Sequence, residues 1–167
     1  MDVGILFSGG KDSCLAMLKS VELGYKIKCL ISIESENKFS FMFHTPSISR
    51  VKKQSESLGI PLIILKTSGE KERELQDLEK AIHLAIKEYK IQGVVTGAVE
   101  SVYQASRVQK ICNQLKIECF NPLWQKDQIE LLDELIDKNF EVILTGVFAC
   151  PFDKSWLGRK IDKSFIE

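Results

Sequence analysis

The sequence predicts a doubly wound α/β fold, a mainly parallel five-stranded sheet with helices on both faces. Three observations predict it. Short apolar runs of strand length alternate with segments of helical periodicity from Val3 to Val147. The intervening helical segments are long enough to act as right-handed crossovers, so the strands they connect pair in parallel. Chemistry-bearing residues collect just after strands, where open parallel sheets bind their ligands.

Each element has its own signal. Val3-Gly4-Ile5-Leu6-Phe7 is the first strand. The residues from Asp12 to Leu23 form a helix with Leu15, Leu18 and Val21 on one face, ended by Gly24. Ile27–Ile33 is the second strand, followed by the polar stretch Glu34–Ser40 and by Phe41-Met42-Phe43-His44. Thr45-Pro46 opens the next helix as N-cap and first-turn proline, and Gly59 closes it. Leu62–Leu65 is the third strand. Leu75, Leu78, Ile82, Ala85, Ile86 and Tyr89 recur at helical spacing, and the charged run Glu70–Glu74 leads into that helix as a solvated face. Val94-Val95-Thr96, between Gly93 and Gly97, is the fourth strand. Val108, Ile111 and Leu115 define a fourth helix, and Cys119-Phe120 reads as a short extended piece. Asp127-Gln128-Ile129-Glu130 is a capping box before a fifth helix carrying Leu131, Leu132, Leu135 and Ile136. Val142–Val147 is expected to be the last buried strand of the sheet. The expectation is one domain over residues 1–167, without repeats or an interdomain linker.

Composition narrows the function classes. Hydrophobic residues make up 44% and charged residues 28%, the balance of a soluble globular protein. Lys+Arg and Asp+Glu both number 23, so no overall field steers the chain toward nucleic acid or a membrane. No apolar run approaches the roughly 20 residues of a membrane span. Asp2 and the shortness of Val3–Phe7 also speak against a signal peptide. The cysteines at 14, 29, 112, 119 and 150 form no C-x-x-C pair; Cys14, Cys29 and Cys112 fall on apolar faces as reduced core thiols. A cytoplasmic protein is expected.

The run Ser8-Gly9-Gly10-Lys11-Asp12-Ser13 carries the strongest chemistry. Its glycines let the backbone turn sharply between strand and helix, presenting N–H groups at a helix N-terminus. Such a concavity binds phosphate or pyrophosphate, with hydroxyls from Ser8 and Ser13 and charge from Lys11. It is not a Walker A loop: counted from Gly4, G-x-x-x-x-G-K needs lysine at the position held by Gly10.

A second constellation, Gly97 to Arg107, follows the fourth strand with Glu100, Ser101, Tyr103, Gln104 and Arg107 close together. Gly97 allows the backbone to approach a ligand, and Arg107 is suited to a forked grip on a carboxylate or phosphate. The residues alone leave open a capped helix start with a solvated arginine. Asn121-Pro122-Leu123-Trp124 is a third candidate, with Trp124 either a wall of the site or core.

Ser8–Ser13 matches S-G-G-x-D-S, and so resembles the PP-loop of the ATP pyrophosphatases, which cleave ATP between the α- and β-phosphates. The resemblance sharpens with S-x-Y-Q-x-x-R-V at Ser101–Val108, C-x-x-L at Cys112–Leu115, N-P-L-W at Asn121–Trp124, Met42–Pro46 and Ser155-Trp156-Leu157-Gly158-Arg159. Together these look like one PP-loop family, the diphthine–ammonia ligases or diphthamide synthases. The resemblance implies a Rossmann-like fold of the adenine nucleotide α-hydrolase type. It implies an AMP-forming amide ligase that uses ATP, Mg²⁺ and ammonium on diphthine, a modified histidine of translation elongation factor 2.

Carried over, Ser8, Gly9, Gly10, Lys11 and Ser13 hold the β- and γ-phosphates, Asp12 stands near Mg²⁺, and Met42 and His44 are candidates for adenine or ribose contact. Glu100, Ser101, Tyr103, Gln104, Arg107 and Trp124 face the acceptor, with Lys11, Asp12, Glu100 and Arg107 closest to the chemistry. Relatives continue past Arg159 into a part bearing E-G-G-E-F/Y-E-T, which is not found here. Leu157, Ile161 and Phe165 are expected to form an apolar stripe on a terminal helix, and a second subunit is one surface to cover it. A PP-loop tRNA-modifying enzyme and a non-catalytic ATP- or AMP-binding module stay open as alternatives.

Overall fold

The computed structural model describes residues 1–37, 48–147, 150 and 152–166. They fall into two compact units, Met1–Trp124 and Gln125–Glu167. Met42, His44 and the Thr45-Pro46 helix start lie outside the described residues.

The first unit runs β1 (Asp2–Leu6), α1 (Lys11–Glu22), β2 (Lys26–Ser35), α2 (Ile48–Leu58), β3 (Leu62–Thr67), α3 (Lys71–Tyr89), β4 (Gly93–Val95), α4 (Val102–Leu115) and β5 (Glu118–Phe120). The strands lie in the order β3-β2-β1-β4-β5, and every neighbouring pair is parallel. This is the expected doubly wound, five-stranded sheet. The chain winds outward from β1 to β3, then returns to start the other half at β4. The reversal puts the switch point between β1 and β4, where the loops at the carboxyl ends part to leave a crevice.

Alternation along β2 separates the two faces. Cys29, Ile31 and Ile33 join Leu78, Ala81, Ile82 and Ala85 of α3 with Val108, Ile111 and Cys112 of α4 in one core cluster. Leu30 and Ser32 point to the other face, where right-handed crossovers put α1 and α2. The α3/α4 core is filled to contact at the centre of the sheet. A Cβ on Gly4 would lie 3.0 Å from the Ile31 Cδ1 and 3.1 Å from the Ile91 Cδ1, which explains a glycine inside a central strand. Burial in this core, with the Glu88 charge adding to it, pushes the Cys29 thiol up to about 12.

Several sequence expectations are corrected. The fifth strand is Glu118–Phe120, paired with β4, and not Val142–Val147. The Val142–Val147 stretch lies in the second unit, is only partly buried, and forms an antiparallel bridge between Ile143 and Lys160. Glu74 is not on a solvated face; it is 1% exposed, with the Ser35 hydroxyl donating to its Oε1 at 3.4 Å. Helix α4 starts at Val102, so the β4–α4 connection is of ordinary length, and Tyr103, Gln104 and Arg107 sit on the first turns of a helix.

In the second unit, α5 (Gln128–Asp137) begins as expected, with Asp127 Oδ1 accepting from the N–H groups of Ile129 and Glu130 at 2.9 and 3.1 Å. The apolar stripe on a terminal helix does not form. Trp156 ends a single 3-10 turn, Leu157 and Ile161 are non-helical, and only Phe165 lies in the short α6 (Lys163–Ile166). Phe165 instead packs edge-on against Trp156, ring centroids 5.6 Å apart, and Arg159 stacks over the Trp156 ring at 4.3 Å. Among the described residues no helix is long and apolar enough to cross a membrane.

Candidate active site

The first wall of the crevice is the turn from β1 into α1. Phe7 extends β1 by donating its N–H to the Ile31 carbonyl at 2.8 Å, and the Ser32 hydroxyl takes up the Phe7 carbonyl at 2.5 Å. Gly9 then adopts φ +75°, a left-handed turn that a residue with a side chain rarely makes. Gly10 is extended and stands at the N-cap of α1 without any side-chain cap. The first N–H groups of α1 therefore face the crevice carrying the positive end of the helix dipole.

Two hydroxyls line the same turn. Ser8 Oγ accepts from the Gly10 N–H at 3.2 Å and lies 3.2 Å from Ser13 Oγ, which donates to the Gly10 carbonyl at 3.0 Å. Lys11 Nζ and Asp12 Oδ1 form an ion pair at 2.6 Å, both about a third exposed. Lys11, Asp12, Ser8, Gly9, Gly10 and Ser13 are thus brought together as the sequence leads one to expect. The neighbouring Cys14 thiol is pushed up to about 11, by burial first and then by the Asp12 charge, against a lowering hydrogen bond from Ser13. Burial of this kind disfavours the reactive thiolate.

The second wall comes from β4. Gly97 packs on the backbone of α1 itself, where a Cβ would lie 2.8 Å from Asp12 C and from Ser13 N. Thr96, 5% exposed, ties the end of the sheet together, its Oγ1 donating to Asn121 Oδ1 at 2.5 Å and accepting from the Ala98 N–H at 3.1 Å. Ser101 is the N-cap of α4, its Oγ accepting from the Gln104 N–H at 3.3 Å, and Glu100 just before it is exposed.

Arg107 is not the solvated arginine of the simpler reading. Its guanidinium lies over the Tyr103 ring, 3.4 Å from the centroid, and Nη1 donates to the Tyr103 carbonyl at 3.3 Å. Its Nε is buried without a hydrogen-bond partner, and no carboxylate pairs with it among the described residues. The guanidinium is thus half-buried and held by stacking, with its planar fork only partly used.

Trp124 is half-buried in an open groove of about 280 Å³ beside α4, lined by Val102, Ala105, Ser106, Gln109 and Asn121, and Tyr103 and Arg107 are not among its walls. One participant carries no sequence signal: Gln54 of α2 donates from Nε2 to the Gly9 carbonyl at 3.1 Å, across 45 residues of chain. Nothing local marks an ordinary helical glutamine for that role. Among the described residues no cluster of three or more His, Cys, Asp or Glu could hold a metal ion.

A family model described as the diphthamide synthase N-terminal domain matches residues 1–119, and one described as the diphthamide synthase C-terminal domain matches residues 127–167. The chain is similar to the diphthine–ammonia ligase of Bos taurus, with 30% identity over 98% of this chain and 68% of that protein. It is similar to that of Rattus norvegicus at 32% identity over 92% and 64%, and to that of Mus musculus at 31% over 100% and 68%. It thus spans about two thirds of the length of these relatives. Among solved structures, a predicted tRNA methyltransferase subunit from Methanocaldococcus jannaschii superposes with a TM-score of 0.53 at 22% identity, covering 86% of this chain and 79% of that one. The U34-tRNA thiolase of Methanococcus maripaludis gives 0.50 at 19%, covering 92% and 60%. These last two show the shared fold. With both halves of one family matched in order along its length, the chain belongs to the diphthamide synthase family.

Proposed function

We propose that the chain is an ATP-dependent ligase that converts diphthine on translation elongation factor 2 to diphthamide with ammonia, releasing AMP and pyrophosphate. The uncapped N-terminus of α1 at the switch point is the observation that carries this reading. It offers backbone donors and a positive dipole end where a triphosphate must lie, and relatives over most of the chain bear the name diphthine–ammonia ligase.

In this reading Ser8, Gly9, Gly10, Lys11 and Ser13 bind the β- and γ-phosphates. Lys11 leaves Asp12 for the phosphates, and the freed Asp12 carboxylate is the residue that would help to hold a Mg²⁺. Bound there, the ion would supply charge to offset that of the departing pyrophosphate. Attack of the diphthine carboxylate on the α-phosphorus forms the acyl adenylate. Arg107 receives the anionic group across the crevice, with Tyr103 keeping its guanidinium flat and Glu100, Ser101 and Gln104 on the acceptor side. Ammonia then attacks the acyl carbon, and AMP leaves.

Two substitutions test the division of labour. Lys11→Ala is expected to weaken ATP binding about tenfold or more, since a hydrogen bond to a charged group contributes about 1.5–3 kcal/mol. Arg107→Ala is expected to keep ATP affinity within about threefold and to lower amide formation by about a hundredfold, the scale of losing one donor to transition-state charge. Titration calorimetry and mass analysis of the acceptor read the two effects. Equal ATP affinity in Lys11→Ala and wild type contradicts the loop assignment.

A further inference from the structure

We infer that Gln54 is the positioning residue of the phosphate loop, holding the Gly9–Gly10 peptide in the orientation that turns its carbonyl away from an incoming phosphate and leaves its N–H on Ser8. The inference rests on the reading of this loop as the site of the β- and γ-phosphates.

A peptide unit is planar, so the Gly9 carbonyl and the Gly10 N–H point in opposite directions and turn together. With no Cβ on either residue, that unit can flip at little steric cost. In the structure the Gly9 carbonyl turns away toward α2, where Gln54 Nε2 donates to it at 3.1 Å. The Gly10 N–H therefore points into the turn, where Ser8 Oγ accepts it at 3.2 Å. A flipped unit would direct the carbonyl oxygen at the incoming phosphates and repel them.

Two further features tie Gln54 to this task. Its Oε1 is buried without a hydrogen-bond partner among the described residues, a costly arrangement for a side chain that serves packing alone. The amide orientation follows from the contact, because the opposite one would set Oε1 against the Gly9 carbonyl, acceptor against acceptor. The amide also occupies the place where a Cβ on Gly9 would project, and Val51 Cγ2 closes the same side at 3.3 Å. Gly9 is thus required for its φ of +75°, and a side chain there would displace the Gln54 amide from its contact.

The test compares Gln54→Leu and Gln54→Met in the full chain, with ATP, inorganic pyrophosphate and AMP as ligands, each with Mg²⁺, by titration calorimetry. Both variants keep bulk and lose the donor. ATP and pyrophosphate are expected to bind about tenfold more weakly, while AMP, which lacks the two phosphates held by the loop, stays within about twofold. Unchanged ATP affinity in both variants overturns the inference. So does an equal loss for ATP and AMP, or failure of both variants to fold, since the side chain then serves the fold and not the loop. If the wild-type chain binds neither ATP nor pyrophosphate, the nucleotide reading itself fails, and that failure is visible before any variant is made.

Discussion

Gly97 is hemmed in by backbone, not by side-chain tips. It stands where the β4 loop rests on the first turn of α1, and a methyl group there would meet backbone atoms at 2.8 Å. Backbone cannot swing aside as a side-chain tip can, so Gly97→Ala should push α1 away from the crevice. The expected outcome is a loss of about 1–3 kcal/mol of stability, as for overpacking in general, together with weaker ATP binding. Denaturant titration and calorimetry check it; wild-type values for both would show that the contact yields freely. The residues around Gly97 also show what a sequence discloses at this scale. The loop from Ser8 to Ser13 is contiguous, so its chemistry is legible in a line of text. Arg107 was ambiguous because its stacking on Tyr103 depends on where α4 begins, and Gln54 was invisible because its partner lies 45 residues away.

At the scale of elements, local signals were sufficient where an element announces its own ends. Asp127 is such a signal, and its side chain accepts from two N–H groups of the first turn of α5. Asp127→Ala should cost about 1 kcal/mol, read as a lower melting midpoint without loss of ATP affinity. Strand identity was harder, because a strand is defined by its partner. Val142–Val147 is apolar and β-prone, yet its contacts are antiparallel and local to the second unit. Glu118–Phe120 is only three residues long and begins with a charge, but its register with β4, from Gly93↔Glu118 to Val95↔Phe120, makes it the edge of the sheet. Glu74 was misread for a related reason. A charged run suggests a solvated face, whereas helical geometry turned one of its members inward beneath Ser35.

At the scale of the molecule, the strand order explains why two distant stretches of sequence share one site. β1 and β4 are neighbours although residues 7–92 separate them, so the Ser8–Ser13 turn and the start of the Gly97–Arg107 segment meet at the switch point, Gly97 packing on the backbone of Asp12 and Ser13. One wall offers uncapped helix donors and the other a guanidinium without a carboxylate partner among the described residues. In the proposed reading these groups receive anions, although the chain as a whole has a formal net charge of zero. Local placement, not overall charge, creates the field a triphosphate would meet. Oxygen-18 transfer tests the proposed adenylation most directly. Elongation factor 2 bearing diphthine labelled in its carboxylate is incubated with the chain, ATP, Mg²⁺ and ammonium. One labelled oxygen should appear in AMP for each amide formed, with none in pyrophosphate. Unlabelled AMP, or ADP and phosphate as the products, would contradict activation of the acceptor as an adenylate.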